Sequence, residues 1–480
     1  MEKKEFGVVG LGVMGQNLAL NMERHGFSVA AYDLNPQRRA TARRNFSGKN
    51  LAVTENLSEL VNGLAFPRKI LIMVPAGRPV DDVIRYLKYK LAPGDVLIDG
   101  GNSYFAATER RIAGLKGSGI LYVGAGISGG EEGALNGPAI MPGGNDAAWP
   151  VIKPIFQAIA AKAPGGEPCC QWVGPGGAGH FVKMVHNGIE YADMQMICEA
   201  YFLMEQLLEL SAEEMSSIFD EWNSGELNSY LVHITSQILK TKDRETDKPM
   251  IDVILDKAGQ KGTGKWTSQI ALDLGIPAMT ITEAVFARAM SALKKERTSA
   301  AAVLKGPGKK FTGNKRRFTE NIRRALFASK ICAYAQGFQL LRSGGRESKW
   351  NLDFAGIARL WRAGCIIRAQ FLDSIAEAFS RRRDLPNLLM DDYFSAAVGR
   401  TQDAWRQVIG AAATFGIPIP AFYSALAYYD AYRTERLPAN LLQAQRDFFG
   451  AHTFERVDKP EGHCFHFDWN VNEAGGEGGE

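Results

Sequence analysis

The sequence predicts a doubly wound α/β domain, then a large all-α domain, then a short C-terminal tail. Three observations carry this. Up to about residue 176, short apolar runs alternate with amphipathic stretches and glycine turns, the pattern of strands joined by crossover helices. From about 178 to 435 the apolar residues recur at helical spacing almost throughout. Beyond 436 the texture changes again, to one short helical stretch and a loop of polar and aromatic residues. The domain boundaries are accordingly drawn at 1–176, 177–435 and 436–480.

Within the first region, 6–10, 29–32, 70–74, 96–99 and 121–123 are short runs dominated by apolar and small residues. Continuous apolar runs of this kind fit parallel strands buried on both faces. Gly10-Leu11-Gly12-Val13-Met14-Gly15 lies directly after the first strand and ahead of a helix expected at 16–25. Glycines so placed permit a tight turn, close approach of backbone to a pyrophosphate and close packing of helix on strand, while the helix N-terminus meets phosphate charge. Such a run alone is a weak signal; with strand and helix on its flanks it predicts a Rossmann-type dinucleotide site. The second strand ends at Asp33, 18 residues after Gly15. A carboxylate there accepts hydrogen bonds from the adenosine ribose and repels a 2′-phosphate, which favours NAD. Arg38 and Arg39, in the helix that Asn35-Pro36 is expected to cap, leave NADP open.

Gly174-Pro-Gly-Gly-Ala-Gly179 closes this region and opens a helical stretch from 178 to 210. Ser211 and Glu214 have the spacing of a capping box that starts the next helix. Ile218-x3-Trp222-x2-Gly225 is echoed by Ile357-x3-Trp361-x2-Gly364, which points to an internal helical duplication. The stretch 473–480, made of Gly, Glu and one Ala, is expected to be disordered. The rest of the tail is too short for a core of its own and is expected to pack on something else.

A net charge of +4 over 480 residues gives no support to nucleic-acid binding, and Arg38, Arg39, Arg43 and Arg44 read as a solvated helix face before they read as a phosphate patch. The six cysteines form no CxxC pair, and the adjacent Cys169 and Cys170 are poorly placed to bridge each other. Reduced thiols in a cytoplasmic protein are expected. No leader, membrane span or metal-ligand spacing is evident. His25, His180 and His233 read as structural, and Trp222, Trp266 and Trp361 as core.

The run 183–191, Lys-Met-Val-His-Asn-Gly-Ile-Glu-Tyr, is the most informative of all. A helix turns about 100° per residue, so Lys183, His186, Asn187 and Glu190 fall within an arc of about 100°, with Tyr191 at its edge. One face thus carries an amine, an imidazole, a carboxamide and a carboxylic acid. That is either a solvated stripe or an acid–base site.

Seven segments in order, 10–17, 99–102, 128–134, 183–191, 256–266, 283–288 and 445–452, resemble the motifs of the decarboxylating 6-phosphogluconate dehydrogenase family, over nearly the whole chain. The resemblance implies oxidation and decarboxylation of 6-phospho-D-gluconate to D-ribulose 5-phosphate and CO2 with reduction of NAD(P), in the pentose phosphate pathway and gluconate utilisation. It implies Lys183 as general base and Glu190 as general acid. Asn102, Ser128, Gly129, Gly130, His186, Asn187 and Tyr191 would hold the sugar acid, and Lys261 and Arg288 its phosphate. Arg446 and His452 would complete the site of the other subunit in a homodimer. The cofactor would meet Gly10, Leu11, Gly12, Val13, Met14, Gly15, Asp33, Leu34, Asn35, Val74, Pro75, Ala76 and Asn102, with no metal. The chain departs from NADP-using members at Asp33-Leu34-Asn35, where they usually carry Asn-Arg-Ser/Thr, at Pro75, where they carry Lys, and at Gly12, often Ala. All three departures lean toward NAD. A simple 3-hydroxyacid dehydrogenase and a non-catalytic nucleotide sensor are the competing readings; Lys261, Arg288 and Arg446 speak against the first, the Lys183/Glu190 pair against the second.

Overall fold

A computed structural model of the chain describes residues 2–469; the stretch expected to be disordered, 473–480, lies outside the described residues. The α/β region is an eight-stranded sheet: β1 (Phe6–Val9), β2 (Val29–Tyr32), β3 (Leu51–Val53), β4 (Lys69–Ile72), β5 (Val96–Asp99), β6 (Leu121–Ser128), β7 (Ala139–Gly144) and β8 (Gly174–Pro175). Its order is β3-β2-β1-β4-β5-β6-β7-β8. The chain reverses direction across the sheet between β1 and β4, so a crevice opens at their C-terminal ends. Phe6, Val8, Leu71, Ile98 and Val123 are buried on one face of the sheet, and Val9, Ile70, Ile72, Leu97 and Tyr122 on the other.

All five expected strands are present, and three more join them. β3 is a half-buried run of three residues, too short to signal itself. β7 contains Pro142, Gly143 and Gly144, residues that propensity reads as a break. The five expected strands run parallel to one another, whereas the added β7 runs antiparallel to β6. Only the short helix Gly130–Asn136 separates them, and a parallel return needs a longer crossover.

The helical region is built around two long helices, Ala178–Gln206 and Lys315–Glu347. They meet closely at glycines: a Cβ on Gly337 would stand 2.5 Å from Ile189 Cδ1, and one on Gly344 would stand 2.1 Å from Phe181 Cζ. The first helix stops at Gln206 rather than 210, since Glu209 takes a positive φ of 52°. The capping box at Ser211 and Glu214 forms as expected. Each long helix is followed by a packed pair, Ala212–Asn223 with Tyr230–Lys240 and Phe354–Leu360 with Leu372–Arg381. Trp222 lies inside the first member of its pair, whereas Trp361 lies one residue past the end of its own.

The Ala178–Gln206 helix also lies directly on the sheet. A Cβ on Gly179 would fall 2.3 Å from the Gly124 carbonyl oxygen and 2.5 Å from that of Met141, and one on Gly126 would fall 2.3 Å from Lys183 Cβ. Backbone therefore approaches backbone where side chains would hold the two apart. The boundary drawn at 176/177 marks a change from sheet to helix with no break in compactness; the compact units are Met1–Leu426 and Ala427–Glu480. The second unit holds the helix Ala439–Gly450 and a two-stranded hairpin, Phe454–Glu455 with Cys464–Phe465. A polar hub organises it. The fully buried Asp447 carboxylate accepts from the N–H groups of Thr453 (3.0 Å) and Phe467 (3.1 Å) and from Trp469 Nε1 (2.8 Å), and lies 2.9 Å from His466 Nδ1. Among the described residues no helix is long and apolar enough to cross a membrane.

Candidate active site

The turn after β1 is shaped by glycine at two positions. Gly10 has φ +103°, and a Cβ there would lie 2.5 Å from the Met73 carbonyl oxygen; a Cβ on Gly15 would lie 1.9 Å from that of Gly10. Gly12 differs: nothing stands within 4 Å of its Cβ position, so this site has room for a methyl group. The helix Val13–Arg24 starts here with no acidic side chain in its first turn, leaving its N–H groups to face an anion. Beside it opens a cleft of about 740 Å³, lined among others by Val13, Met14, Asp33, Leu34, Val74 and Pro75. A glycine cradle and an uncapped helix N-terminus at such a cleft fit a dinucleotide pyrophosphate.

Two of the expected cofactor residues have further partners, and Asn35 caps a helix as expected. Leu11 is fully buried in the core, and its N–H donates to Asp33 Oδ2 at 2.7 Å. The Asn35 side chain caps the helix Pro36–Asn45, accepting from the N–H groups of Gln37 (2.8 Å) and Arg38 (3.3 Å). Ala76 and Asn102 are exposed and do not line the cleft; Gly101, beside Asn102, does. Asp33 is 6% exposed, its second oxygen accepting from the Asn35 N–H at 2.8 Å, and Arg38 Nη1 stands 3.6 Å from it. The basic cluster is not a uniform solvated face. Arg38 lines the cleft, Arg39 donates to the carbonyls of Asp33 and Leu34, and Arg43 pairs with Glu55.

The acid–base face of the Ala178–Gln206 helix is buried, which excludes the solvated stripe. His186 is fully buried and Lys183 is 5% exposed, while the Glu190 side chain keeps 20% of its surface open. Lys183 Nζ lies 3.5 Å from His186 Nδ1, which lies 3.0 Å from Asn187 Oδ1 and 3.7 Å from Glu190 Oε2. Ser128, at the end of β6, brings its Oγ to 3.3 Å from His186 Nε2, and Trp361 sets its ring edge-on to the imidazole at 5.6 Å. Gly129 (φ +116°) and Gly130 (φ +63°) then turn the chain away, and a Cβ on Gly129 would strike the Gly364 carbonyl oxygen at 2.6 Å.

Electrostatics follow from that burial. Desolvation pulls the Lys183 ammonium below its ordinary value against the opposing pull of Glu190 and Cys365. It pushes the Glu190 carboxyl up, against the charges of Lys183 and Arg288. His186 is held well below its usual value by burial and then by Lys183, so it stays neutral. The pair is thereby drawn together in proton affinity, as a base and an acid working near neutral pH require.

On the other side of Tyr191 the Arg288 guanidinium stacks over the ring at 3.4 Å, and Gly264 packs so closely that a Cβ would meet Tyr191 Cδ2 at 2.4 Å. Thr267 anchors this segment by donating to the Met184 carbonyl at 2.8 Å. Lys261 sits exposed just ahead of it. The structure thus brings Ser128, Lys183, His186, Asn187, Glu190, Tyr191 and Arg288 together. Arg446 and His452 belong to the second unit, where both are exposed; Arg446 donates to Gln443 Oε1 at 3.0 Å, and His452 lies 5.8 Å from the Phe449 ring. No group of residues suited to a metal ion occurs among the described residues.

Sequence reasoning missed the buried hydrogen-bond network of Arg111 with Asp81, Asp99 and Ser103 and the buried pair Lys330–Asp193. Neither forms a motif; Lys330 and Asp193 are 137 residues apart. His180, taken as structural, is buried with Nδ1 2.6 Å from Thr108 Oγ1.

A dinucleotide cradle joined to a buried lysine–carboxylic acid pair defines a nicotinamide-dependent dehydrogenase. The models of the NAD binding domain and of the C-terminal domain of 6-phosphogluconate dehydrogenase match residues 5–174 and 179–469, and the chain belongs to that family. It is 56% identical over 470 residues, 98% of this chain and 100% of the relative, to the NADP-dependent, decarboxylating 6-phosphogluconate dehydrogenase of Bacillus subtilis. It is 53% identical to the decarboxylating human enzyme, covering 98% of this chain and 97% of the relative. A solved structure of Plasmodium falciparum 6-phosphogluconate dehydrogenase, from a set described as apo, with NADP+ and with 6-phosphogluconate, superposes with a TM-score of 0.93 at 40% identity, over 97% of this chain and 100% of that one.

Proposed function

We propose that the buried face of the Ala178–Gln206 helix carries out the oxidative decarboxylation of 6-phospho-D-gluconate to D-ribulose 5-phosphate and CO2. The observation that carries this is the pairing of a desolvated lysine, 3.5 Å from a neutral histidine, with a carboxylic acid one turn further on. Lys183, its proton affinity lowered by burial, removes the proton of the 3-hydroxyl. Bound NAD(P)+ supplies the hydride acceptor. Lys183, now protonated, stabilises the carbonyl oxygen of the 3-keto acid as carbon dioxide leaves and negative charge builds there. Glu190, its proton affinity raised by burial, delivers a proton to C1 of the enediol. Ser128, Asn187 and the backbone at Gly129 and Gly130 hold the sugar acid, and Arg288 and Lys261 hold its phosphate.

Three finer readings belong here. NAD is the favoured cofactor on the strength of Asp33, a buried carboxylate at the cleft, and of the uncharged, 83% exposed Leu34 beside it; the relatives named with NADP give that preference no support, and Arg38 faces the same cleft. The working form is a homodimer in which Arg446 and His452 complete the partner's site, a reading supported by their exposure on a unit of their own. A reducing, cytoplasmic setting is supported by six free cysteines.

The test is stoichiometry. Purified protein with 6-phosphogluconate should release one carbon dioxide per reduced cofactor. Reduced cofactor without carbon dioxide would establish the simple hydroxyacid dehydrogenase instead, and neither product would leave a nucleotide-binding protein without turnover.

A further inference from the structure

Arg111, on the helix Phe105–Leu115, is 5% exposed and makes four hydrogen bonds from one guanidinium. Nε donates to Asp81 Oδ1 (2.8 Å), Nη1 to Asp99 Oδ2 (2.8 Å) and Ser103 Oγ (3.1 Å), and Nη2 to the Gly77 carbonyl (3.1 Å). These acceptors sit in two segments that leave the C-terminal ends of neighbouring strands. Gly77 and Asp81 follow β4, where Val74, Pro75 and Pro79 line the cofactor cleft; Asp99 ends β5 and Ser103 follows it, where Gly101 lines the cleft. Asp99 is itself fixed, its Oδ1 accepting from the Gly101 N–H at 3.1 Å and its Oδ2 from the Tyr122 hydroxyl at 3.3 Å. A buried guanidinium is costly to desolvate unless its donors are met, and here Nε and Nη2 meet the segment after β4 while Nη1 meets Asp99 and Ser103.

We propose that Arg111 is a positioning residue for hydride transfer, setting the separation of the 73–77 and 99–103 segments between which the nicotinamide end of the cofactor enters. It rests on the dehydrogenase reading above. It touches neither cofactor nor substrate; it fixes the two walls, and Asn102 between Gly101 and Ser103 moves with one of them. Reacting atoms tolerate little displacement, about a hundredfold in rate per ångström. The pyrophosphate cradle at Gly10 and Gly15 and the adenosine side at Asp33 are not among its contacts. Arg111→Lys keeps the charge and loses the fork, so it separates geometry from electrostatics.

The experiment compares wild type, Arg111→Lys and the milder Asp81→Asn, whose side chain is 26% exposed. Turnover, the isotope effect with substrate deuterated at C3, and the dissociation constant of ADP-ribose, which lacks nicotinamide, are measured for each. A kcat lower by about tenfold or more in Arg111→Lys, with a larger isotope effect and ADP-ribose affinity within about twofold of wild type, is expected; Asp81→Asn should move the same way by less. Unchanged kcat and isotope effect in both variants overturn the proposal, as does a loss of ADP-ribose affinity as large as the loss of kcat, which would mark a general structural role. An inactive wild type would instead overturn the dehydrogenase reading beneath it.

Discussion

The cofactor cleft and the acid–base face are built from opposite materials. The cleft is made by taking side chains away, so that backbone at Gly10 and Gly15 can close on carbonyl oxygens and leave N–H groups toward a phosphate. The acid–base face is made by burying side chains that ordinarily stay in water, so that lysine and carboxylic acid shift toward each other in proton affinity. One site recognises through shape and dipoles, the other reacts through desolvated charge. Their failure modes should therefore differ: a methyl group ruins the first, and the loss of one ionisable group ruins the second.

The sharpest break in that comparison is Lys183→Met. Turnover should fall by at least about 10²–10⁴-fold, the usual contribution of a positioned base, while NADP binding measured by calorimetry stays within about twofold; comparable activity in the variant would remove Lys183 from its role. Gly15→Ala should do the reverse. With its Cβ 1.9 Å from the Gly10 carbonyl oxygen, binding should become undetectable by calorimetry, and normal affinity would refute the backbone cradle. Leu34→Arg together with Asp33→Asn should move kcat/KM toward NADP by about tenfold or more, since a guanidinium replaces a repelling carboxylate beside the 2′-position. An unchanged cofactor ratio would assign discrimination to other residues.

A smaller effect tests burial further along the same helix. Glu199 is 2% exposed and its carboxyl is pushed up to about 7 by desolvation, although the N–H groups of Ala421 and Phe422 donate to it. The folded protein then holds a proton at pH values where the unfolded chain has lost it. Stability contributed by this group is present below about 4.5 and falls as pH rises through about 7. Glu199→Gln should flatten the dependence of Tm on pH across that window; parallel curves for both proteins would refute the shift. Smallest of all, Gly12→Ala should change cofactor affinity by less than about threefold, because its Cβ position is open.

The two regions also differ in how far the sequence disclosed them. Gly10 and Gly15 are punctuation that local spacing makes visible, and Lys183, His186 and Glu190 share an arc that helix geometry alone implies. β7 escaped notice because Pro142 and Gly143-Gly144 are locally poor strand residues whose place is secured by pairing with β6 and β8. Leu11 sat inside a recognised motif yet serves the core, a role that depends on which way a side chain leaves the backbone, whereas the helix cap at Asn35 was legible from Asn35-Pro36. Trp361 was legible as core, but its contact with His186, like the network of Arg111, was silent for another reason: each depends on partners contributed by other elements, and no short pattern records such a meeting. The tail's short helix was legible, but its hub was not, because it is one carboxylate, Asp447, gathering donors up to 22 residues away.

The close seat of the long helix on β6 and β7 bears on inheritance and engineering alike. Gly143 and Gly179 meet backbone to backbone, while Gly124 and Gly126 make room for His180 and Lys183, forming a seam fitted to its own partner. A nucleotide-binding half severed at 176 would present that seam to solvent, and a foreign partner bearing ordinary side chains could not fill it. The two halves are thus expected to travel through evolution as a single heritable piece, with recombination tolerated elsewhere, and a chimera joined at this point should recover solubility only when both sides of the seam come from the same parent.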